Sequence, residues 1–391
     1  MEIEKYFDWA ATGAIDEETA EILRKSLEES IEFCANPSSV HAQGRKARER
    51  LEKAREDCAK TLGVKSNQIF FTSGGTEGDH IPLVSMLFNA EKGRILTSGI
   101  EHSAIREMAH NLKRIGFQSE KIAVDENGFI SADAVLKKLE KDTQFVSVMA
   151  VNNETGNVMP IYEIAQAILE KYNGKKKPHF HTDCVQAAGK IELSLNEAGI
   201  DSASISAHKL GGPRGTGILF LAQPQKFKAF LAGGGQENGI RSGTENLFGA
   251  IATAEILKKR FFLKGKENAR LFEQKKLTKD FVDSLKKIPL CSLVPSIREK
   301  GEENFSPWIV QAAFKGIPGN VMVRALDAKG FCISTGSACS ARKQNRPVLE
   351  EMGVSRENQE TAVRFSFGHA TTKSAMDSLL QAVREVCADF S

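Results

Sequence analysis

Several short apolar runs in this 391-residue chain end in residues that could do chemistry. Behind residues 69–72 comes Ser73-Gly74-Gly75-Thr76-Glu77 opening a helix, where free backbone N–H groups and the positive dipole end favour an anion such as phosphate. Behind residues 94–98 comes Glu101-His102, and behind 145–151 comes Asn152-Asn153-Glu154-Thr155-Gly156. The run 179–182 ends in Asp183, with Gln186 three residues on. The run 202–206 leads into Ser206-Ala207-His208-Lys209 and then Gly211, Gly212, Gly215 and Gly217. In open α/β sheets the ligand sits beyond the carboxyl ends of the strands, so these groups should gather along one edge.

Taken singly, each has an ordinary reading: Gly-Gly-Thr is a turn, His102 a helix start, Lys209 a solvated charge and Asp183 a cap. Their coincidence at successive strand ends points further. An anion cradle, a carboxylate, an imidazole, amides and a lysine together fit a phosphate-bearing cofactor that needs both an acid and an amine. Pyridoxal 5′-phosphate (PLP) is such a cofactor: lysine forms the Schiff base, aspartate keeps the pyridine nitrogen protonated, and a helix N-terminus takes the phosphate. Nucleotides fit worse, because no Gly-Lys-[Ser/Thr] loop is present and no helix clearly opens behind Gly211 to Gly217. His179, His181 and Asp183 alternate onto one strand face, as at some metal sites, but the other histidines (41, 80, 102, 110, 208 and 369) supply no second pair, so no metal is expected.

Two further features lie toward the C-terminus. Ser334-Thr335-Gly336-Ser337-Ala338-Cys339-Ser340-Ala341-Arg342 is a small-residue loop with nothing bulky to bury its thiol, which suits a nucleophile that must reach a cofactor and then carry something away. Cys34, Cys58, Cys184, Cys291, Cys332 and Cys387 sit in or beside patterned elements and read as inert core residues. Arg364 stands inside the apolar strand Val363-Arg364-Phe365-Ser366-Phe367; it needs a partner, and a substrate carboxylate matches its planar fork.

The elements that must position these groups follow from periodicity. Asp16 reads as the N-cap of a helix with Ala20, Leu23, Leu27 and Ile31 on its apolar face; a second helix carries Ala47, Leu51, Ala54, Cys58 and Leu62 and stops at Gly63. Strand-like runs at 69–72, 94–98, 145–151, 179–182, 202–206 and 217–221 alternate with helical stretches, the pattern of an α/β domain with a mostly parallel sheet. From about residue 260 the pattern changes: a helix over 265–287, strands near 290–294 and 309–314, a helix near 320–329, strands near 331–333 and 363–367, and a last helix. We expect a large α/β domain over 15–259 and a smaller α+β domain from 1–14 and 260–391 carrying the Cys339 loop.

Composition narrows the setting. With 41% hydrophobic and 26% charged residues, a disordered or fibrous protein is excluded. Fifty-three basic against 50 acidic residues leave a net charge of +3, which gives no electrostatic case for nucleic acid or an anionic membrane as partner. No apolar run approaches a membrane span, Met1-Glu2-Ile3-Glu4-Lys5 lacks the features of a signal peptide, and seven cysteines show no zinc or disulfide spacing. A cytoplasmic protein with reduced thiols is expected.

Jointly, Tyr6-Phe7-Asp8, Asn36-Pro37-Ser38-Ser39 with His41, Thr72 to Glu77, Glu101-His102, Val151 to Gly156, His181 to Gln186, Ser206 to Gly217, Arg241-Ser242-Gly243-Thr244, Ser334 to Cys339 and Arg364-Phe365-Ser366 resemble the cysteine desulfurases of the NifS/IscS type. These are class-V aminotransferases with the aspartate aminotransferase-like PLP fold. The resemblance implies that L-cysteine becomes L-alanine with a persulfide on Cys339, which is also open to service as a transient iron–sulfur ligand. It implies that Lys209 holds PLP and moves the Cα proton, Asp183 pairs the pyridine nitrogen, Gln186 bonds the phenolic oxygen and His102 stacks on the ring. Gly75, Thr76, Ser206 and His208 would hold the phosphate, with Thr244 supplied by the other subunit of a homodimer; Asn153, Arg364 and Asn36 would hold the substrate carboxylate. The sulfur would pass to an acceptor or iron–sulfur scaffold protein. The alternative within the same chemistry is a selenocysteine lyase or related β-lyase. Departures from the family pattern are Gly78-Asp79-His80 with Pro82 behind it, Gln236, and Gly13, and neither Gly13 nor Gln236 is expected to touch the core set.

Overall fold

Asp16 starts the first helix as expected: in α1 (Glu17–Glu32) its carboxylate accepts from the Thr19 amide, and Glu17 and Glu18 occupy the first turn, where the dipole favours anions. The apolar stripe of α1, however, is not its buried face. Leu27 and Ile31 are 51% and 66% exposed, while Thr19 and Ser26 are buried. Thr19 Oγ1 donates to Asp16 and accepts from Arg260, and the Ser26 hydroxyl donates to the Ile22 carbonyl, so these polar atoms are satisfied inside. α2 (Ala42–Leu62) buries the expected Ala47, Leu51, Ala54, Cys58 and Leu62 and ends at left-handed Gly63.

The computed structural model describes residues 2–336 and 346–390, so Cys339 lies outside the described residues. Beyond α2 come β1 (Ile69–Thr72), α3 (Gly75–Ser85), β2 (Arg94–Ser98), α4 (Ser103–Arg114), β3 (Gln118–Ile122), α5 (Ala132–Lys138), β4 (Thr143–Ser147) and α6 (Ile161–Tyr172). Next are β5 (His179–Asp183), β6 (Glu192–Leu193), β7 (Ser202–Ser206), β8 (Gly217–Leu221), α7 (Leu247–Arg260), β9 (Phe262–Leu263) and α8 (Ala269–Leu285). The chain continues through β10 (Cys291–Leu293), β11 (Ile309–Phe314), α9 (Gly319–Ala328), α10 (Pro347–Glu351), α11 (Arg356–Thr361), β12 (Ala362–Ser366) and α12 (Lys373–Asp389).

The main sheet has the order β1-β8-β7-β5-β4-β2-β3. Its β3, β2, β4, β5 and β7 pair in parallel, and β8 runs antiparallel to both β7 and β1. This is the mostly parallel sheet that the alternation of runs led us to expect. Strand β3 went unforeseen because Gln-Ser-Glu-Lys-Ile is polar on both faces, which only an edge strand tolerates. The run 145–151 is strand only to Ser147; beyond it the Met149 amide turns to Glu101 and the Ala150 amide to the Asp183 carbonyl. The expected strand 331–333 is a single bridge, Tyr6 to Cys332. Pro82 lies inside α3, which nevertheless continues to Ser85.

A second sheet, β10-β11-β12, is antiparallel. Two large apolar clusters accompany the two sheets: one spans residues 47–257 and takes in Val294, Ala313, Val348, Leu349, Met352 and Ala362, the other joins Phe7 to residues 262–387. Phe7 packs on Phe331 and Phe367, so the N-terminal segment is pinned to the C-terminal part of the chain.

Candidate active site

A cavity of about 260 Å³ is lined by the residues that follow β1, β5 and β7, as the strand-end rule requires. Gly75, Thr76 and Asp79 of α3, His102, Met149, Asn153, Asp183, Val185, Gln186, Ser206, His208 and Lys209 line it. Ala10 and Ala11 from the N-terminal segment and Arg364 from β12 complete the lining.

The anion end is built from backbone. Helix α3 begins at Gly75 with no side chain capping its first turn, so its leading amides are open to a ligand. Gly217 of β8 lies under this turn: a Cβ there would fall 2.7 Å from Gly74 Cα and from the Ile205 carbonyl oxygen. On the other side Ala207–Leu210 forms one turn of 3-10 helix that carries His208 and Lys209. His208 Nδ1 meets Thr12 Oγ1 at 3.0 Å; burial, then Lys209 and Lys190, hold the ring at about 4, so it is neutral at neutral pH.

Three buried carboxyls, Asp79, Glu101 and Asp183, lie at or beside the cavity. Asp183 Oδ1 accepts from the Val185 amide at 2.8 Å, and burial followed by the nearby Asp79 push its carboxyl up to about 8. Asp79 accepts from Ser204 Oγ and meets His181 Nε2 at 3.1 Å, and burial raises it to about 7. Glu101 accepts from Ser98, Ser147 and the Met149 amide, with burial and then Asp183 and Asp79 raising it to about 8. These carboxyls crowd a site where a cationic ligand group would relieve them. His179 and His181 both meet Ser202 Oγ at 2.7 Å and are held in the sheet. One ligand atom each from Asp79, His102 and Asp183 lie within 4.8 Å of one another.

Lys209 Nζ donates to the carbonyls of Ala10 and Ala11 at 2.6 and 2.8 Å, so the amine is aimed across the cavity at the N-terminal strap. Gln186 Nε2 donates to the same Ala10 carbonyl at 2.9 Å, and Gln186 Oε1 accepts from buried Lys190. His102 caps α4, its Nδ1 accepting from the Ala104 amide at 3.2 Å, which leaves the ring proton on Nε2. Burial, then Lys209, Arg106 and His80, hold His102 down to about 4. Arg364 is 1% exposed; it donates to the Asn153 carbonyl at 2.8 Å and to Asp8 Oδ1 at 2.7 Å, while its Nε has no protein partner.

The structure thus brings together Gly75, Thr76, His102, Asn153, Asp183, Gln186, Ser206, His208, Lys209 and Arg364. Within this single chain Asn36 and Thr244 are exposed and off the cavity; the Asn36 side chain accepts from the Ser38 amide. Cys34 is exposed, against the expectation of a core thiol. Gly13 does touch the core set. Its amide donates to the His208 carbonyl at 2.7 Å, and a Cβ there would fall 2.5 Å from the Gly211 amide nitrogen, so the departure at this position is a close backbone approach. Gln236 accepts from the Gly243 amide, next to Thr244, and His80 meets the Ala104 carbonyl at 3.1 Å. Sequence reasoning missed Ala10, Ala11 and Asp79, whose contacts are made across long stretches of chain. The one available signal for Asp79 was an acid one helical turn behind Gly75.

The parallel sheet with a lysine, an aspartate and an open helix N-terminus along one edge defines a class of PLP-type enzymes, and residues 5–379 match the family model "Aminotransferase class-V". The chain belongs to that family. It is 36% identical over 390 residues to the cysteine desulfurase IscS of Dictyoglomus turgidum, covering 99% of this chain and 95% of that protein. Among solved structures, a NifS-like protein superposes with a TM-score of 0.86 at 32% identity, covering 98% of this chain and 99% of that one. SspA in complex with cysteine superposes at 0.77 with 27% identity, covering 94% of this chain and all of that one, 100%. Within the family the chain is of the NifS/IscS cysteine desulfurase type.

Proposed function

We propose that this protein is a PLP-dependent cysteine desulfurase, converting L-cysteine to L-alanine and loading sulfur onto Cys339. The observation that carries the reading is one cavity holding Lys209, Asp183, Gln186 and His102, with open helix amides at one end and Arg364 in its wall. The donor set fits PLP at both ends. Gly75 and Thr76 at the start of α3, with Ser206 and His208, would take the phosphate; Asp183, raised by burial beside Asp79, would be restored to its ionised form by a pyridinium. In a family homodimer Thr244 would come from the partner subunit.

When bound, PLP supplies an electron sink for the substrate Cα. The chain's own groups do the rest. Arg364 and Asn153 orient the substrate carboxylate, Arg364 already braced by Asp8 and with Nε left to donate. Asn36 is the further candidate for this role. Lys209 Nζ, held by the Ala10 and Ala11 carbonyls until the site is loaded, takes and returns the Cα proton. His102, neutral and carrying its proton on Nε2, lines the cavity and would hand a proton on. The Cys339 thiolate attacks the substrate sulfur: an S–S bond forms, the Cβ–S bond breaks, its electron pair stays with carbon, and protonation there yields alanine.

A cytoplasmic setting agrees with a persulfide that must be formed and discharged repeatedly, and among the described residues no helix is long and apolar enough to cross a membrane. We divide the chain into a large domain at 15–259 and a small one at 1–14 plus 260–391; the cluster joining Phe7 to residues 262–387 supports this division, while Val294, Ala313, Val348, Leu349, Met352 and Ala362 pack into the other cluster across it. The sulfur acceptor is a protein, such as an iron–sulfur scaffold.

The test is the visible spectrum of the purified protein before and after cysteine. A band that shifts with cysteine, alanine formed in step with sulfide, and less product from selenocysteine at matched concentration are expected. A protein that stays colourless after incubation with PLP refutes the reading. Cys339→Ala should keep the band and lose sulfide production; full sulfide production would remove Cys339 from the mechanism.

A further inference from the structure

Lys190 is a fully buried amine that the reaction as described leaves unused. Among the described residues no carboxylate pairs with it. Its Nζ donates to Gln186 Oε1, four residues back on the same turn, while its own carbonyl accepts from Trp308 Nε1 at 2.6 Å. The charged and titratable groups whose fields reach it are Lys209 and His208 behind β7 and Arg364 of β12. Burying an amine with no acid beside it is costly, and a hydrophobic residue of the same length would fill the space more cheaply.

What Lys190 does is fix an amide. A glutamine side chain can present either its oxygen or its NH₂ to a neighbour, and the choice is set by the hydrogen bonds around it. Here the oxygen is taken by Lys190 and one N–H by the Ala10 carbonyl at 2.9 Å. The remaining N–H belongs to a side chain that lines the cavity. Without Lys190 only the Ala10 carbonyl still holds the amide, and Oε1, left with no donor, is no longer pinned away from the cavity, where it would repel an anionic ligand atom.

We propose that Lys190 is a positioning residue for the cofactor's phenolic oxygen, acting through Gln186, whose NH₂ it turns toward the cavity. This deepens the PLP reading and rests on it. A donor held at that oxygen favours the more negative form of the bound cofactor, so its loss raises the pH at which the visible band changes.

The test is a pH titration of the visible band in the PLP-loaded protein, with cofactor affinity measured alongside. Lys190→Met should raise the band's midpoint by about one pH unit and weaken cofactor binding about tenfold. In a Gln186→Ala background the same substitution should shift the midpoint by less than about 0.3 unit, because the group it acts through is gone. Shifts that simply add, or an unmoved midpoint in folded Lys190→Met, overturn the proposal. If Lys190→Met does not fold, Lys190→Leu, which also lacks a donor for Gln186 Oε1, takes its place: a midpoint raised by about one unit supports the role, and an unmoved midpoint overturns it. A wild-type protein that acquires no band at all would refute the PLP reading itself, which keeps the two failures distinct.

Discussion

Replacing Asp183 with asparagine should make the cofactor-free protein more stable and the loaded enzyme worse. Asp183 is 4% exposed, and burial with Asp79 alongside lifts its carboxyl from 3.8 to about 8. Between those values the folded chain holds a proton that the unfolded chain has released. Unfolding free energy therefore falls as pH rises, by about 1.4 kcal/mol per unit, and the loss is complete only above the folded value. Roughly three units separate 3.8 from pH 7, so the penalty at pH 7 is about 4 kcal/mol. Asparagine has no proton to lose and keeps an oxygen for the Val185 amide. Asp183→Asn should gain about that amount at pH 7, a rise of roughly 5 °C in melting temperature for a chain of this length, shrinking toward nothing near pH 4. Scanning calorimetry of cofactor-free protein from pH 4 to 8 reads this directly. The same variant should bind PLP at least about 100-fold more weakly, since the charge that balances a pyridinium is gone. A variant less stable than the parent at pH 7, or an advantage unchanged across the range, would refute the reasoning.

Three further outcomes follow from the same geometry. Lys209→Ala should fold and bind PLP without covalent attachment, so the cofactor is removed by gel filtration; a retained, borohydride-trapped adduct would count against Lys209. Arg364→Lys loses the planar fork that spans Asp8 and the Asn153 carbonyl and, on the proposed reading, would take the substrate carboxylate; it should raise KM for cysteine about 100-fold with a smaller change in kcat, and an unchanged KM would exclude the role. Gly217→Ala drives a Cβ to 2.7 Å from Gly74 Cα and should cost about 2 kcal/mol of stability and at least tenfold in PLP affinity; an affinity equal to the parent's would show that the Gly74 turn does not shape the anion site.

Local pattern and distant contact were unequally legible. β1, β2, β7, β8 and β11 fall on the runs read from the sequence, because a strand buried on both faces reads as one near-continuous run whichever way its neighbours point. The cavity's lysine, aspartate and cradle were legible for the same reason: each sits one step past such a run. β3 was hidden by its polar edge, and the lone bridge at Cys332 shows that a short apolar run is not a strand unless neighbours pair along its length. On α1, Leu27 and Ile31 misled because Thr19 and Ser26 satisfy their hydroxyls within the fold. Lys190 was illegible because nothing local distinguishes a buried charge from a solvated one, and for Asp79 its place one turn behind Gly75 was the only sign.

The bridge from Asp8 to Ser366 and the ion pair from Asp8 to Arg364 also set an order of events in the cell. The two ends of that ion pair are separated by 356 residues. At about 5–20 residues per second, a ribosome needs roughly 20 to 70 seconds after the first wall of the cavity has emerged before the last can close it. Throughout that interval Lys209, once made, lacks the finished pocket that selects one aldehyde over others. On the proposed reading, capture of a cofactor by the complete pocket waits until Arg364 has been made.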